Sequence, residues 1–251
     1  MGRAKQTWEK LATNDAYFAV STFDKFRSSN IDAAAKEDFF QSGRDHVEHI
    51  WNEMENGFGL ELRPQRALDY GCGVGRILLA LAEKCETVIG VDISPTMLDE
   101  TRKNCEGRGA ANVELLDAAD FVEAETETYD LIHSYIVLQH IDPKIGNDLI
   151  HKMIERLVPG GVGMLHVTYF DPSPPGRKLR FRIYRDMPFV HDILNAIRSK
   201  TEPVMPMYEY DLGVVFRLLQ QNGCNLSSVR FSDHGWLGML IFFRKDGKEI
   251  N

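Results

Sequence analysis

The sequence predicts an α/β domain built on a parallel sheet covered by helices on both faces. Three observations carry this. Segments of strand and helix character alternate from residue 65 to 170. A glycine-rich turn joins the first of these strands to the next helix. Two β runs close the chain across a short polar turn, so the sheet ends in an antiparallel pair.

The elements follow in order. The aromatic stretch Trp8–Phe26 reads as helical. Phe39, Phe40, Gly43, Val47, Ile50, Trp51 and Met54 recur every three or four residues and give a second helix with one apolar stripe, closed by Pro64. Arg66–Tyr70 is a strand, Arg76–Lys84 a helix, and Thr87–Val91 a strand ending at Asp92. Ser94 caps the next helix, with Pro95 in its first turn, where a missing N–H costs nothing. Val113–Leu116 and Tyr129–Ser134 are strands. Asn147–Val158 is a helix stopped by Pro159-Gly160-Gly161, and Val162–Tyr169 is the fifth strand. After the break Asp171-Pro-Ser-Pro-Pro-Gly176 comes an irregular insert to about Met207. Tyr210–Gln221 is a helix ended by Asn222-Gly223, and Leu226–Phe231 and Trp236–Phe243 form the hairpin.

The chain has 251 residues, enough for one large domain. We divide residues 1–251 into a helical cap (1–64), a ligand-binding core (65–170), a substrate-side insert or lid (171–208), and the last helix and hairpin (209–251). Apolar residues make up 43% and charged residues 26%, which excludes disorder, collagen and coiled coil as global descriptions. A net charge of −8 speaks against duplex nucleic acid as a partner. Cys72, Cys85, Cys105 and Cys224 form no C-x-x-C pair, so neither a structural zinc nor a dithiol centre is expected. The chain opens without a signal core, and no apolar run reaches the roughly 18–20 residues that span a bilayer. These features fit a protein of the reducing cytoplasm, with no membrane partner.

The segment Ala67-Leu-Asp-Tyr-Gly71-Cys72-Gly73-Val-Gly75-Arg76 follows a strand and opens a helix. Glycines let the backbone approach a ligand, and the free N–H groups of the helix start face it. The dinucleotide fingerprint needs glycine at position 76, where arginine stands. Asp92, seventeen residues past Gly75 at the next strand end, can accept two hydrogen bonds from a ribose diol. Together these features read as adenosine binding without a demand for pyrophosphate.

At this point the chain resembles the class I S-adenosylmethionine-dependent methyltransferase family. The likeness rests on Leu68-Asp69-Tyr-Gly71-Cys72-Gly73-Val-Gly75, Val88-Ile-Gly-Val-Asp92-Ile93-Ser, Asp117-Ala118, Tyr129-Asp130-Leu-Ile-His133-Ser134 and Leu157-Val-Pro159-Gly160-Gly161, in that order along the chain. It implies a doubly wound, seven-stranded, mostly parallel sheet with its last strand antiparallel, and S-adenosyl-L-methionine as cofactor. It also implies residue roles. Asp69, with the loop Gly71, Cys72 and Gly73, holds the methionine amino end. Asp92 holds the ribose. Ile93 and Met97 flank the adenine, Asp117 and the Ala118 N–H meet its edge, and the His133 backbone runs along the methionine.

Methyl transfer from a sulfonium needs the acceptor aligned about 3–3.5 Å from the methyl and water excluded. A general base helps only where the acceptor is a hydroxyl or a protonated amine. The ends of the fourth and fifth strands supply His140, Tyr135 and Tyr169 as candidates, His140 being the type best poised near neutral pH. No carboxylate cluster stands there for a metal ion. A small, partly aromatic or apolar metabolite, methylated on an O, N or S atom, is the expected partner; the alternatives are methyl transfer to protein or RNA, and a protein that binds the cofactor without catalysis.

The insert carries Arg177, Lys178, Arg180, Arg182 and Arg185 without an acid. Lys178, Arg180, Arg182 and Tyr184 alternate with Leu179, Phe181 and Ile183, which predicts a strand with one cationic and one apolar face. Three uses remain open for it: a solvated cover strand, an edge pairing two copies in a homodimer, and a site for an acceptor's carboxylate or phosphate.

Overall fold

The computed structural model describes residues 2–124, 126–186 and 205–247. Strands β1 (Arg66–Tyr70), β2 (Thr87–Asp92), β3 (Val113–Asp117), β4 (Tyr129–Ser134) and β5 (Leu157–Phe170) pair in parallel. Strands β6 (Leu226–Asp233) and β7 (Leu237–Arg244) form the closing hairpin. The sheet order is β3-β2-β1-β4-β5-β7-β6, with β7 antiparallel to both neighbours. This is the seven-stranded sheet with a reversed last strand that the motifs implied.

Successive strand residues enter opposite layers because side chains alternate. Ala67, Val88, Leu131, Met164 and Phe242 pack under helix α2 (Ala33–Phe58) and helix α3 (Leu78–Ala82). Leu68, Ile89, Ile132, Leu165 and Phe243 pack on the other face, where helices α5 (Ala118–Glu123), α6 (Pro143–Glu155) and α8 (Leu212–Gln221) contribute Phe121, Ile150, Met153, Val215 and Leu219. The predicted stripe of α2 is buried in full. Asp32 caps that helix by accepting from the Ala35 N–H, and Gly59 ends it at φ +61°.

Helix α4 (Pro95–Arg108) starts as expected, with Ser94 accepting from the Met97 N–H. Helix α1 (Gly2–Val20), kinked at Asp15, packs its Ala12 and Ala19 with Phe39, Met97 and Cys105 over the carboxyl ends of the first strands.

Two expectations are corrected. The helix read at 147–158 runs instead from Pro143 to Glu155, because Asp142-Pro143 supplies an earlier cap and start. Its supposed stop, Pro159-Gly160-Gly161, lies inside β5, whose first residue Leu157 already pairs with Tyr129. The cationic strand over 178–184 is a helix, α7 (Pro175–Asp186). The carbonyl of Pro174 accepts from the N–H groups of Arg177 and Lys178 and starts it. Arg, Lys and Leu are good helix formers, and Leu179 and Ile183 fall on one helical face as readily as on one strand face. No sheet edge exists there for a second copy to extend. Most of the insert read as irregular, residues 187–204, lies outside the described residues.

Candidate functional site

Strand β1 pairs with β2 on one side and β4 on the other, so the sheet changes direction between β1 and β4. Crevices at the carboxyl ends of such strands are where open α/β sheets take ligands. A pocket of about 1030 Å³, its mouth included, opens at this point. Its floor is the loop Gly71-Cys72-Gly73. Gly71 has φ +82° and Gly73 φ +56°, conformations that favour glycine. A Cβ on Gly71 would fall 2.2 Å from Val137, and one on Gly73 would fall 2.6 Å from Val20.

Two carboxylates mark the pocket. Asp69, at the end of β1, is 2% exposed. Its Oδ1 accepts from His133 Nδ1 at 2.7 Å, whereas its Oδ2 is buried with no hydrogen-bond partner. Because the carboxylate accepts, His133 carries its proton on Nδ1, and its Nε2 accepts in turn from His46 Nε2 at 3.0 Å. Asp92, ending β2, accepts from the Gly73 N–H at 2.9 Å and from the Ser94 N–H at 2.9 Å. Burial, only partly offset by these donors, pushes its pKa up to about 6.

Helix α1 roofs the pocket with Ala4, Trp8, Ala19 and Val20. Three contacts pin it. Glu9 accepts from Ser94 Oγ at 2.6 Å and also from Thr96. Burial alone would raise the Glu9 pKa, but these hydrogen bonds outweigh it and hold the carboxyl below its usual value. Tyr17 donates to Glu100 or Asn104, each 2.9 Å from its hydroxyl. Lys5 pairs with Asp117 at 2.7 Å.

The residues singled out from sequence divide accordingly. Asp69, Gly71, Cys72, Gly73, Asp92, Ile93, Met97, Tyr135 and His140 all line the pocket. Asp117 and Ala118 do not; Asp117 caps α5 through the Ala119 N–H and holds Lys5. His133 is fully buried behind Asp69, its ring rather than only its backbone engaged. Tyr169 packs against the apolar layer around Leu165 and Val167 and lies outside the lining.

His140 has both ring nitrogens engaged: Nδ1 donates to the Pro206 carbonyl at 2.8 Å, and Nε2 accepts from Gln139 Nε2 at 3.1 Å. Burial lowers its pKa to about 4, so the ring is neutral. Tyr135 lies 3.2 Å from His234 Nε2 through its hydroxyl, and its ring lies 4.3 Å from that of His46. Burial raises the Tyr135 pKa. Its neighbour Ile136 has φ +60°, a strained conformation for a β-branched residue, inside the pocket wall.

Sequence reasoning missed Trp8, Val20, Arg76 and His46. Arg76 was in view as the residue directly after the glycine loop. The other three reach the site by long-range packing that no local pattern announces.

Comparison with known proteins places these observations in context. A family model described as a methyltransferase domain matches residues 67–161. The chain is 33% identical over 122 residues to the ribosomal protein L11 methyltransferase of Polynucleobacter necessarius, covering 47% of this chain and 35% of that protein. It is 32% identical over 180 residues to the tRNA 5-carboxymethoxyuridine methyltransferase of Escherichia coli K12, covering 69% and 65%. The chain spans less than half the length of the first curated relatives it matches. Among solved structures, magnesium protoporphyrin IX methyltransferase from Synechocystis PCC 6803, with SAH (S-adenosylhomocysteine) bound, superposes with a TM-score of 0.57 at 18% identity, covering 94% of this chain and all of that one. At that identity the likeness is one of fold.

Proposed function

Since the chain belongs to the class I S-adenosylmethionine-dependent methyltransferases, we propose that it transfers a methyl group from S-adenosyl-L-methionine to an O, N or S atom of a small metabolite. The observation that carries the choice of acceptor is the roof. Trp8, Ala19 and Val20 of α1 close the pocket opposite the glycine loop, and the remaining wall by β4 is mostly apolar: Tyr135, Ile136, Val137, Ile141. A roofed pocket with a largely apolar lining and a few placed polar groups suits a small molecule.

The residues fit the cofactor. The unpartnered, buried Asp69 Oδ2 suits an ammonium group. Asp92 keeps lone pairs for a ribose diol, and the two positive-φ glycines leave room for a ligand against the loop. When bound, the cofactor's sulfonium supplies an electrophilic methyl. The chain's own work is then alignment and exclusion of water. Asp69 and Asp92 orient the two ends of the ligand, and Trp8 and Val20 shield it. Of the three side chains proposed to act on the acceptor, Tyr135 and His140 line the pocket, and Tyr169 packs on the apolar core layer outside the lining. Tyr135 stays protonated and donates to His234, so its oxygen is free to orient an acceptor hydroxyl.

A second reading, an RNA acceptor, draws on the tRNA-modifying relative and on the cations of α7. Incubation with methyl-tritiated cofactor and a cell extract separates the two. Label is expected in the low-molecular-weight fraction. Label confined to RNA or protein would overturn the small-metabolite reading.

No helix among the described residues is long and apolar enough to cross a membrane.

A further inference from the structure

Because β7 runs against β5, with Leu237 opposite Phe170, the turn between β6 and β7 lies at the carboxyl edge of the sheet, where the pocket opens. That turn is Ser232-Asp233-His234-Gly235-Trp236. Asp233 Oδ1 accepts from the Gly235 N–H at 2.9 Å, and the His234 N–H donates to the Trp236 carbonyl at 3.3 Å. The Trp236 ring meets Phe181 of α7 edge-on, 5.8 Å between centroids. So fastened, the turn brings His234 Nε2 to 3.2 Å from the Tyr135 hydroxyl, 99 positions earlier in the chain.

Tyr135 lines the pocket, whereas His234 is exposed and stands outside the lining. Their hydrogen bond therefore crosses the pocket wall. The rings of His46 and His166, 4.3 and 5.3 Å away, hold the Tyr135 ring in place. Neither they nor His140 can take a proton near neutral pH, since burial pushes their pKa values down to about 2, 3 and 4. Tyr135 alone is a poor base as well, because burial raises its pKa and Arg76 offsets this only in part. His234 differs. Partial burial lowers its pKa and Asp233 works against that shift, so the ring is neutral at pH 7 yet open to water. The titratable groups that face it are Asp233 on its own turn, Tyr135 after β4 and His166 on β5, whose ring lies 5.5 Å away. Helix α7 meets the turn through the apolar pair Phe181 and Trp236.

We propose that Tyr135 and His234 form a proton exit for a hydroxyl acceptor, with Tyr135 facing the acceptor and His234 passing the proton to water. This rests on the reading of the pocket as a methyl-transfer site. A hydroxyl is the acceptor that gains most, being a weak nucleophile until its proton leaves. The acceptor oxygen exchanges its proton for the methyl, whose bond to sulfur breaks with the electron pair left on sulfur. The acceptor proton moves to Tyr135 Oη as the phenolic proton moves to His234 Nε2. The imidazolium then loses its Nδ1 proton to water. Tyr135 gives one proton as it takes another, and ends as it began. His234 acts through Tyr135 and is in that sense a positioning residue. An acceptor with no proton to lose, such as a thioether, has no use for the pair.

Two measurements on the full chain test this. In the first, carbon NMR of the histidine rings, assigned with His234→Ala, follows the titration of His234 in the ligand-free protein. Tyr135→Phe removes the donor that favours the neutral ring. The His234 pKa is expected to rise by about half a unit to one unit, the size that losing one hydrogen bond gives. An unchanged value overturns the pair. In the second, methyl-tritiated cofactor is incubated with the small-molecule fraction of a cell extract from about pH 5.5 to 9. The parent rate is expected to level off above the His234 pKa found by NMR. His234→Ala is expected to be slower by about a hundredfold and to lose that inflection, with added imidazole restoring part of the rate. Calorimetry should show its affinity for S-adenosylhomocysteine unchanged. A parent-like rate and pH profile, or a loss that imidazole does not repair, overturns the proton exit. A parent that labels nothing in that fraction overturns the proposed function and the exit with it; the NMR result tells the two failures apart.

Discussion

His133 and Asp69 join the ends of β4 and β1 by a 2.7 Å hydrogen bond between side chains that are 1% and 3% exposed. The bond leaves one carboxylate oxygen of Asp69 facing the pocket without a partner. A single carboxylate thus ties the switch point of the sheet together and leaves one oxygen, proposed above to meet a ligand, without a partner. The two tasks separate by substitution. Asp69→Asn can keep an oxygen toward His133 but turns an amide N–H₂ toward the pocket. Its dissociation constant for S-adenosylhomocysteine is expected to rise at least about tenfold, with an unfolding midpoint near the parent's. His133→Ala removes the imidazole between Asp69 and His46 and leaves a void, which is expected to cost about 2–4 kcal/mol in urea unfolding. An unchanged dissociation constant in the first variant would sink the assignment of the free oxygen.

Gly71 and Val137 form a second pair on which the site depends. A methyl at position 71 would meet the Val137 side chain at 2.2 Å, on a backbone with φ +82°. Gly71→Ala is expected to destabilise the fold by about 2–4 kcal/mol, part from the left-handed backbone and part from the collision. Gly71→Ala with Val137→Ala should recover only the collision. Full recovery would mean that the backbone conformation carries no cost. Thermal melts of the three proteins measure the split.

Much of this was legible in the chain. The strands announced themselves through apolar runs between turn residues, and the stripe from Phe39 to Met54 fixed which face of α2 is buried. The glycine loop and Asp92 were visible because close backbone approach and a strand-end carboxylate demand particular residue types. Alternation misled at 178–184, since Leu179 and Ile183 share a face in either period. The individual contacts around the pocket were hidden for a different reason. Lys5 meets Asp117 across 112 positions, and His46 meets His133 across 87, so neither contact leaves a local trace.

Asp92 predicts a pH-dependent affinity. Its pKa in the ligand-free fold is pushed up to about 6 by burial, from 3.8, so its charge costs the fold stability above pH 6 and the cost fades as pH falls toward 3.8. Ribose hydroxyls donate best to the ionised carboxylate. Affinity for S-adenosylhomocysteine is therefore expected to be flat above about pH 7 and to fall below pH 6, by at most about one decade per unit. Asp92→Asn should bind more weakly at pH 8 and lose the slope. Calorimetry at pH 5, 6, 7 and 8 checks both, and a parent profile that stays level across this range refutes the ribose role.

Three imidazoles held away from water, at His46, His140 and His166, weaken the fold in acid. Burial lowers the pKa of His46 to about 2, of His166 to about 3 and of His140 to about 4. In the unfolded chain each titrates near about 6.5. Above that pH both states are neutral and the three groups contribute no pH dependence. As pH falls below it, the unfolded chain takes up protons that the fold refuses, so stability drops until the folded values are reached. With three such groups the imidazole contribution approaches about 4 kcal/mol per pH unit near pH 5, and the opposite trend at Asp92 takes back about 1 kcal/mol per unit. His140→Gln removes one of them and should lessen the slope by about 1 kcal/mol per pH unit while keeping a donor or acceptor beside Gln139. Melting temperatures from pH 7.5 to 4.5 measure this; a His140→Gln curve parallel to the parent's would show that His140 is already charged in the fold.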